Sequence, residues 1–270
     1  RADRRRSDHQ PHQRRAAGQR LTVAATDVRV VFVGAGPGSA DLITLRGLQR
    51  LRAAEIVLAD ALTDPALRAE APEAEWIDVG KRGFSAESTG QARINALLVE
   101  CARRSARVVR LKGGDPSVFG RLEEELQALH AVGVACEVVP GVTSALAAAA
   151  ASQQPLTRRG PRRSAALSTA MTQAGELHAR RSADTEVFYM AGRQLPALAE
   201  RLREVGWPID TPVAVISRAG WPDERFSRHT VATLAAAEAT HGGRPTLVTV
   251  GAGARPVHDP RQAGLIGSNP

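Results

Sequence analysis

Val108-Val109-Arg110-Leu111-Lys112-Gly113-Gly114-Asp115-Pro116-Ser117-Val118-Phe119-Gly120-Arg121 is an apolar strand that runs directly into two glycines. An acidic helix follows, opening with Glu123-Glu124-Glu125. Adjacent glycines at the carboxyl end of a strand let main chain approach a ligand closely or adopt positive φ. In an open α/β sheet, the loops at that end are where ligands bind. An ordinary Gly-Asp-Pro turn fits the glycines equally well. A basic residue on each side of them, with Phe119-Gly120-Arg121 after, favours a ligand loop.

The chain before this stretch repeats the same grammar. Residues 28–33 are a continuous apolar run, the pattern of a buried parallel strand. They feed Gly34-Ala35-Gly36-Pro37-Gly38-Ser39 and a helix with Leu42, Leu45, Leu48 and Leu51 at helical spacing. A second strand over 56–59 ends at Asp60, and Asp64-Pro65 supplies an N-cap and a first-turn proline for a short helix. A third strand over 76–79 ends at Gly80-Lys81-Arg82-Gly83. A helix around Ile94, Leu97, Leu98 and Cys101 then leads into the 108–111 strand. Beyond it lie a helix over 122–131, a strand over 136–139 and the turn Pro140-Gly141-Val142-Thr143-Ser144. Five alternations of strand and helix predict an α/β fold with a doubly wound, mostly parallel sheet.

Residues 152–163 turn polar, with Pro155 and Pro161, and read as a linker. The second half gives strands near 187–190, 213–217 and 246–250, with helices near 195–205 and 231–240. Residues 226–230 fit half of a hairpin. The organisation expected is a disordered basic tail or linker over 1–27, an α/β lobe over 28–152 and an interlobe linker over 153–163. A second α/β lobe with a mixed sheet spans 164–251, and an irregular tail spans 252–270.

With 270 residues and 43% hydrophobic content, the composition is that of a soluble globular protein. No apolar run approaches the roughly 20 residues of a membrane span, and no basic-then-apolar signal segment opens the chain. The chain begins at Arg1 instead of methionine, as a fragment of a longer protein would. Two cysteines, Cys101 and Cys136, fit a reduced, cytoplasmic compartment. The seven histidines lack ligand-like spacing, so no metal is expected. The net charge of +8 suggests a nucleic-acid partner, but residues 1–20 carry +5 of it. The remainder is too weakly basic, and too poor in aromatics, for that role. Only two of the 36 basic residues are lysines, Lys81 and Lys112, both in candidate loops. A lysine ammonium can transfer a proton, whereas arginine is effectively always charged.

Gly34-Ala35-Gly36-Pro37-Gly38 fails as a dinucleotide fingerprint because Ser39 occupies the place of the third glycine. Asp60 fits either a cap or a catalytic carboxylate, and spacing alone favours the cap. Thr143 and Ser144 head a helix and are placed to cap it. Met190, after Phe188-Tyr189, has the setting of core filler.

Taken together, these segments resemble one family. They are Val33 through Gly38, Asp60, Gly80-Lys81-Arg82, Ile94-Asn95-Ala96-Leu97-Leu98, the opening stretch, Val138 through Ser144, Pro155-Leu156-Thr157, Tyr189-Met190, Pro212-Val213-Ala214-Val215 and Pro222-Asp223-Glu224-Arg225. Residues 29–251 are similar to the uroporphyrinogen-III C-methyltransferases of the tetrapyrrole methylase superfamily. The resemblance implies two α/β lobes with S-adenosyl-L-methionine in the cleft between them, and a homodimer. The implied reaction is methylation of uroporphyrinogen III at C2 and C7 to precorrin-2, towards sirohaem and cobalamin, with no metal, nucleic-acid or membrane partner. By position, Pro37, Gly113, Gly114, Asp115, Val118, Thr143, Ser144, Met190 and Ala219 would line the cofactor site. Asp60 would accept a proton and Lys81 would donate one. Arg82, Lys112 and Arg121 are candidate partners for the substrate carboxylates, along with Arg110, Arg158 and Arg159. The sequence departs from the family pattern at Ser117, Leu122, Arg158, Ala170-Met171 and Ala219. The alternatives are a sister methylase acting on a later corrin intermediate and a module that binds cofactor or tetrapyrrole without turnover.

Overall fold

The computed structural model describes residues 28–80, 90–159, 163–171 and 177–257. Five parallel strands form the first sheet: β1 (Val30–Gly34), β2 (Ile56–Ala59), β3 (Glu75–Asp78), β4 (Val108–Lys112) and β5 (Cys136–Val139). Their order is β3-β2-β4-β1-β5. Helices α1 (Leu45–Arg52), α2 (Gln91–Arg104) and α3 (Leu122–His130) cover the sheet, and α4 (Ser144–Ala151) leaves β5. On one face Phe32, Leu58 and Val108 pack with Ile94 and Leu98 of α2 and Leu129 of α3. On the other, Val33, Val57, Val109 and Leu111 pack with Leu51 of α1. Because both faces are covered there, the inner strands β1 and β2 read as unbroken apolar runs instead of alternating. The leucine repeat at 42–51 spans two elements. Leu42 closes a 3₁₀ turn, and α1 begins afresh at Leu45, with the Thr44 hydroxyl accepting from Gly47 N–H at 3.1 Å.

The second sheet is mixed, with order β6-β7-β10-β8-β9. Its strands are β6 (Ala165–Thr169), β7 (Thr185–Tyr189), β8 (Pro212–Ser217), β9 (Arg225–Thr230) and β10 (Thr246–Gly251). Only β6 and β7 run parallel; the other pairs are antiparallel. The half-hairpin expected over 226–230 is β9, which pairs with β8. Strand β6 has no counterpart in the sequence reading. Its Ala-Ala-Leu-Ser-Thr lies at the sheet edge with neither face fully buried, and it lacks the β-branched weight that marks a strand. Helix α5 (Leu195–Glu204) forms as expected. The helix expected over 231–240 contracts to a 3₁₀ turn at Leu234–Ala237 and one turn of α6 (Glu238–His241). Val231 and Leu234 are drawn into the core beside Leu195 and Leu198, which holds that segment in a tight turn.

Helix α4 joins the two halves. Ala145, Ala147 and Ala148 pack against Val187 and Tyr189 of β7, Ile216 of β8 and Leu247 of β10. Alanine lets a helix lie close to a sheet at interior packing density. Leu156, inside the expected linker, joins this cluster, and its carbonyl accepts from the Thr185 hydroxyl at 2.8 Å.

The second half also contains a buried polar knot. His241 is fully buried, with Nδ1 2.9 Å from the Ser217 hydroxyl and Nε2 2.9 Å from that of Ser227. Burial, with smaller contributions from His229, Arg244 and Arg225, pushes the His241 pKa down from 6.5 to about 4. Below pH 6.5 the unfolded chain therefore binds a proton that the folded chain refuses until about pH 4. Stability contributed by a neutral His241 is complete above pH 6.5 and is lost as pH falls towards 4. Urea midpoints measured between pH 7 and 4.5 should fall in the unmodified chain and fall less in His241→Asn.

Candidate active site

The carboxyl ends of the neighbouring strands β4, β1 and β5 bring three glycines into contact. A Cβ on Gly141 would lie 2.3 Å from the Gly114 carbonyl oxygen and 2.7 Å from Gly34 Cα. Gly114 N–H donates to the Gly36 carbonyl at 2.7 Å, and Gly36 N–H returns a bond to Gly114 at 3.2 Å. Asp115 completes the junction: one carboxylate oxygen accepts from Gly141 N–H at 2.9 Å and the other from Ser117 N–H at 2.8 Å. Three loops distant in sequence are thereby fixed as one surface.

That surface is one wall of a cleft of about 880 Å³, counted out to its open mouth, between the two sheets. Pro37, Leu62, Gly113, Gly114, Asp115, Val118, Phe119, Thr143 and Ser144 line it from the first sheet's loops. Tyr189, Met190, Ile216, Arg218, Ala219, Trp221 and the 245–247 segment line it from the second. All nine positions singled out for a cofactor meet here, although they come from five different loops. The two halves also touch directly. A Cβ on Gly38 would meet the Trp221 ring at 2.7 Å, and the Phe119 and Tyr189 rings make a tilted contact with centroids 4.9 Å apart.

Two expectations change. Thr143 stands at the N-cap of α4, but its hydroxyl makes no cap bond; it lies 2.8 Å from the Tyr189 hydroxyl across the cleft. Met190 is not core filler. It is 42% exposed and lines the cleft with φ +58°. Phe119 (+52°) and Arg218 (+53°) share this left-handed conformation, so three of the five such non-glycine residues among those described line one cleft. Such strain costs on the order of 1 kcal/mol or more per residue and concentrates at functional sites. Tyr189→Phe, which cuts the hydroxyl link between the halves, should cost about 1 kcal/mol. Differential scanning fluorimetry should register that as a fall of about 2–4 °C in melting temperature.

Asp60 lies at the rim, two residues before Leu62 and about three-tenths exposed. It is not a cap. One carboxylate oxygen accepts from Arg110 Nη2 at 2.6 Å. Arg110, a candidate for substrate carboxylates, is itself buried and committed to Asp60 and to Glu125 at 3.1 Å. Lys112, also expected to face an anionic substrate, is buried instead. Its ammonium donates to both Glu125 oxygens, at 3.0 and 2.9 Å. In β4, Val108, Arg110 and Lys112 share the face covered by α2 and α3, which turns both cations away from the cleft. Burial, then the Arg110 charge, lowers the Lys112 pKa; burial would also lower that of Arg110, but Asp60 and Glu125 hold it raised. Glu125, unlike its neighbours Glu123 and Glu124 in the acidic run, is fully buried. A signal was present, because it shares a helical stripe with Leu122 and Leu129.

Arg121 is exposed at the N-cap of α3 and grips Glu124 through two bonds, at 2.7 and 2.6 Å. Arg159 is exposed, and Arg158 donates to the Arg255 carbonyl. Ser117 is exposed outside the cleft lining. Lys81 and Arg82 lie outside the described residues. Among the described residues no helix is long and apolar enough to cross a membrane, and no cluster of His, Cys, Asp or Glu could hold a metal ion.

A profile described as tetrapyrrole (corrin/porphyrin) methylases matches residues 29–235. A siroheme synthase of Neisseria meningitidis serogroup B is 43% identical over 228 residues, 82% of this chain and 47% of that protein. One from Tolumonas auensis is 44% identical over 229 residues, 82% of this chain and 48% of its own length. The chain thus spans about half the length of the curated relatives it matches. Among solved structures, the uroporphyrin-III C-methyltransferase of Thermus thermophilus, complexed with S-adenosylhomocysteine, superposes with a TM-score of 0.73 at 37% identity. That match covers 83% of this chain and 98% of the other. A cobalt precorrin-4 methyltransferase superposes with a TM-score of 0.72 at 30% identity. With a family profile over more than half its length and relatives above 40% identity, this chain belongs to the tetrapyrrole (corrin/porphyrin) methylase family.

Proposed function

We propose that this chain transfers methyl groups from S-adenosyl-L-methionine to C2 and C7 of uroporphyrinogen III, giving precorrin-2. The observation that carries the proposal is the convergence of the nine cofactor positions on one interlobe cleft. The Thermus thermophilus relative of the same architecture was crystallised with S-adenosylhomocysteine. The cleft suits that group. A Cβ on Gly114 would find nothing nearer than 3.9 Å and would project into open cleft, so the glycine keeps a cradle empty.

The sulfonium supplies an activated methyl group, so no covalent enzyme intermediate is needed. The protein has to align a nucleophilic pyrrole carbon with that methyl. As the new carbon–carbon bond forms, the carbon–sulfur bond breaks and its electron pair stays on sulfur, leaving the ring system cationic. Loss of a ring proton restores neutrality, and Asp60 at the rim is the proposed acceptor. Lys81, as proton donor, and Arg82, as a carboxylate partner, keep the roles implied by the family resemblance. Arg121 is an accessible cation for a substrate carboxylate. Its pair with Glu124 is solvent-exposed, hence weak and readily exchanged. We further propose that the chain acts as a homodimer.

Incubation with uroporphyrinogen III and methyl-labelled cofactor should place two labels in the tetrapyrrole. Cofactor binding with no label transferred would overturn the proposal. The likeness to a cobalt precorrin-4 methyltransferase supports a second reading, methylation of a later corrin intermediate. Label entering such a ring but not uroporphyrinogen III would establish it.

A further inference from the structure

We infer that Arg110 is a positioning residue, which presents Asp60 to the cleft with one carboxylate oxygen held and the other left for the reaction. The inference rests on the proton-accepting role proposed for Asp60. It starts from a cost: Arg110, Glu125 and Lys112 are ionisable groups removed from water beneath a central strand, where replacement by apolar side chains is often neutral or stabilising. Stability alone gives no reason for the arrangement.

The geometry supplies one. Arg110 Nη1 donates to the Leu58 carbonyl at 3.3 Å and to the Leu111 carbonyl at 3.2 Å, which pins the guanidinium to β2 and to its own strand. Nε and Nη2 both donate to Glu125 Oε1, at 3.3 and 3.1 Å. Glu125 is held in turn by Lys112 through both oxygens and by Gln91 Nε2 at 3.3 Å. All of the guanidinium's partners so far are buried or main chain. Its remaining bond, from Nη2 to Oδ1 of the part-exposed Asp60 at 2.6 Å, is the shortest. Four bonds to three fixed partners thus aim one donor at one oxygen, and Oδ2 of Asp60 has no hydrogen-bond partner among the described residues.

The charges close as well. Arg110 and Lys112 are matched one for one by Asp60 and Glu125. A guanidinium fixed in this way orients the Asp60 carboxylate. A lysine could not do the same, because one ammonium cannot reproduce the planar fork that reaches Glu125, two carbonyls and Asp60 together.

The test is a double-mutant cycle read through steady-state kinetics. Arg110→Lys keeps the charge and loses the fork. It should lower kcat for methyl transfer by on the order of 10²-fold, the scale of a 1 Å misplacement, with KM for the tetrapyrrole little changed. In the Asp60→Asn background the same substitution should cost almost nothing further. Equal losses in both backgrounds, or a change confined to KM, would overturn the inference. If Asp60→Asn alone transfers label at the unmodified rate, the role of Asp60 fails first, and the inference falls with it. Glu125→Gln, isosteric and linked to Asp60 only through Arg110, is the second variant should Arg110→Lys not fold. It too should depress kcat in a way that vanishes with Asp60→Asn. A loss that persists there counts against the inference.

Discussion

Replacing Asp60 with asparagine should slow methyl transfer by about 10²–10⁴-fold, the usual contribution of a positioned general base. Asparagine keeps the shape of the side chain and can still accept the bond from Arg110 Nη2. It cannot take up a proton. The loss should appear in kcat, while cofactor affinity measured by isothermal titration calorimetry stays close to that of the unmodified chain, since Asp60 is not among the residues that line the cleft. A stability cost is expected in parallel. Asparagine leaves Arg110 and Lys112 facing Glu125 alone, an excess of one buried positive charge. Thermal melts therefore accompany the kinetics. A folded variant that transfers label at full rate would remove Asp60 from the chemistry.

Gly141→Ala should be the most damaging small substitution in the cleft. Its new methyl would lie 2.3 Å from the Gly114 carbonyl oxygen and 2.7 Å from Gly34 Cα, and both obstacles are main chain that no rotamer change can clear. Relief requires β5's loop to move away from the β1 and β4 loops, which breaks the bond from Gly141 N–H to Asp115. Overpacking of this kind costs about 1–3 kcal/mol, and more where backbone must shift. Loss of fold stability and of cofactor binding should come together. Gly114→Ala should separate them: its methyl meets only open cleft but sits at φ +72°, so modest destabilisation should accompany a large loss of cofactor affinity. Calorimetric titration of both variants distinguishes a junction from a cradle. If Gly141→Ala binds cofactor normally, the glycine contact does not shape the site.

The two lobes differed in how far their sequence could be read. In the first, strands β1, β2 and β4 are buried on both faces, and burial on both faces writes itself into the chain as a largely apolar run ending in glycine or a charge. In the second, edge strand β6 is partly exposed and written in small residues, so its pairing with β7 had to come from the folded sheet. The same distinction governs the site. Pro37, the glycines, Thr143 and Met190 sit in recognisable local motifs. Tyr189 as the partner of Thr143, and Phe119 and Trp221 as contacts between the halves, depend on how one lobe lies against the other.

Lys112 shows the limit most clearly. Its rarity marked it for chemistry, and its place beside two glycines suggested the cleft. A strand alternates its side chains, however, and the register of β4 sends Arg110 and Lys112 to the face covered by α2 and α3. The sequence by itself determined the α/β class, the parallel first sheet and the glycine-rich turns, which follow from local composition and periodicity, and pointed to the family through the resemblance of its motifs. Only the tertiary structure decided which charges face the ligand and which are spent on one another. That depends on strand register and on the helix packed against it: Glu125 of α3 meets Arg110 and Lys112 there, so of the four charges only Asp60 reaches the rim.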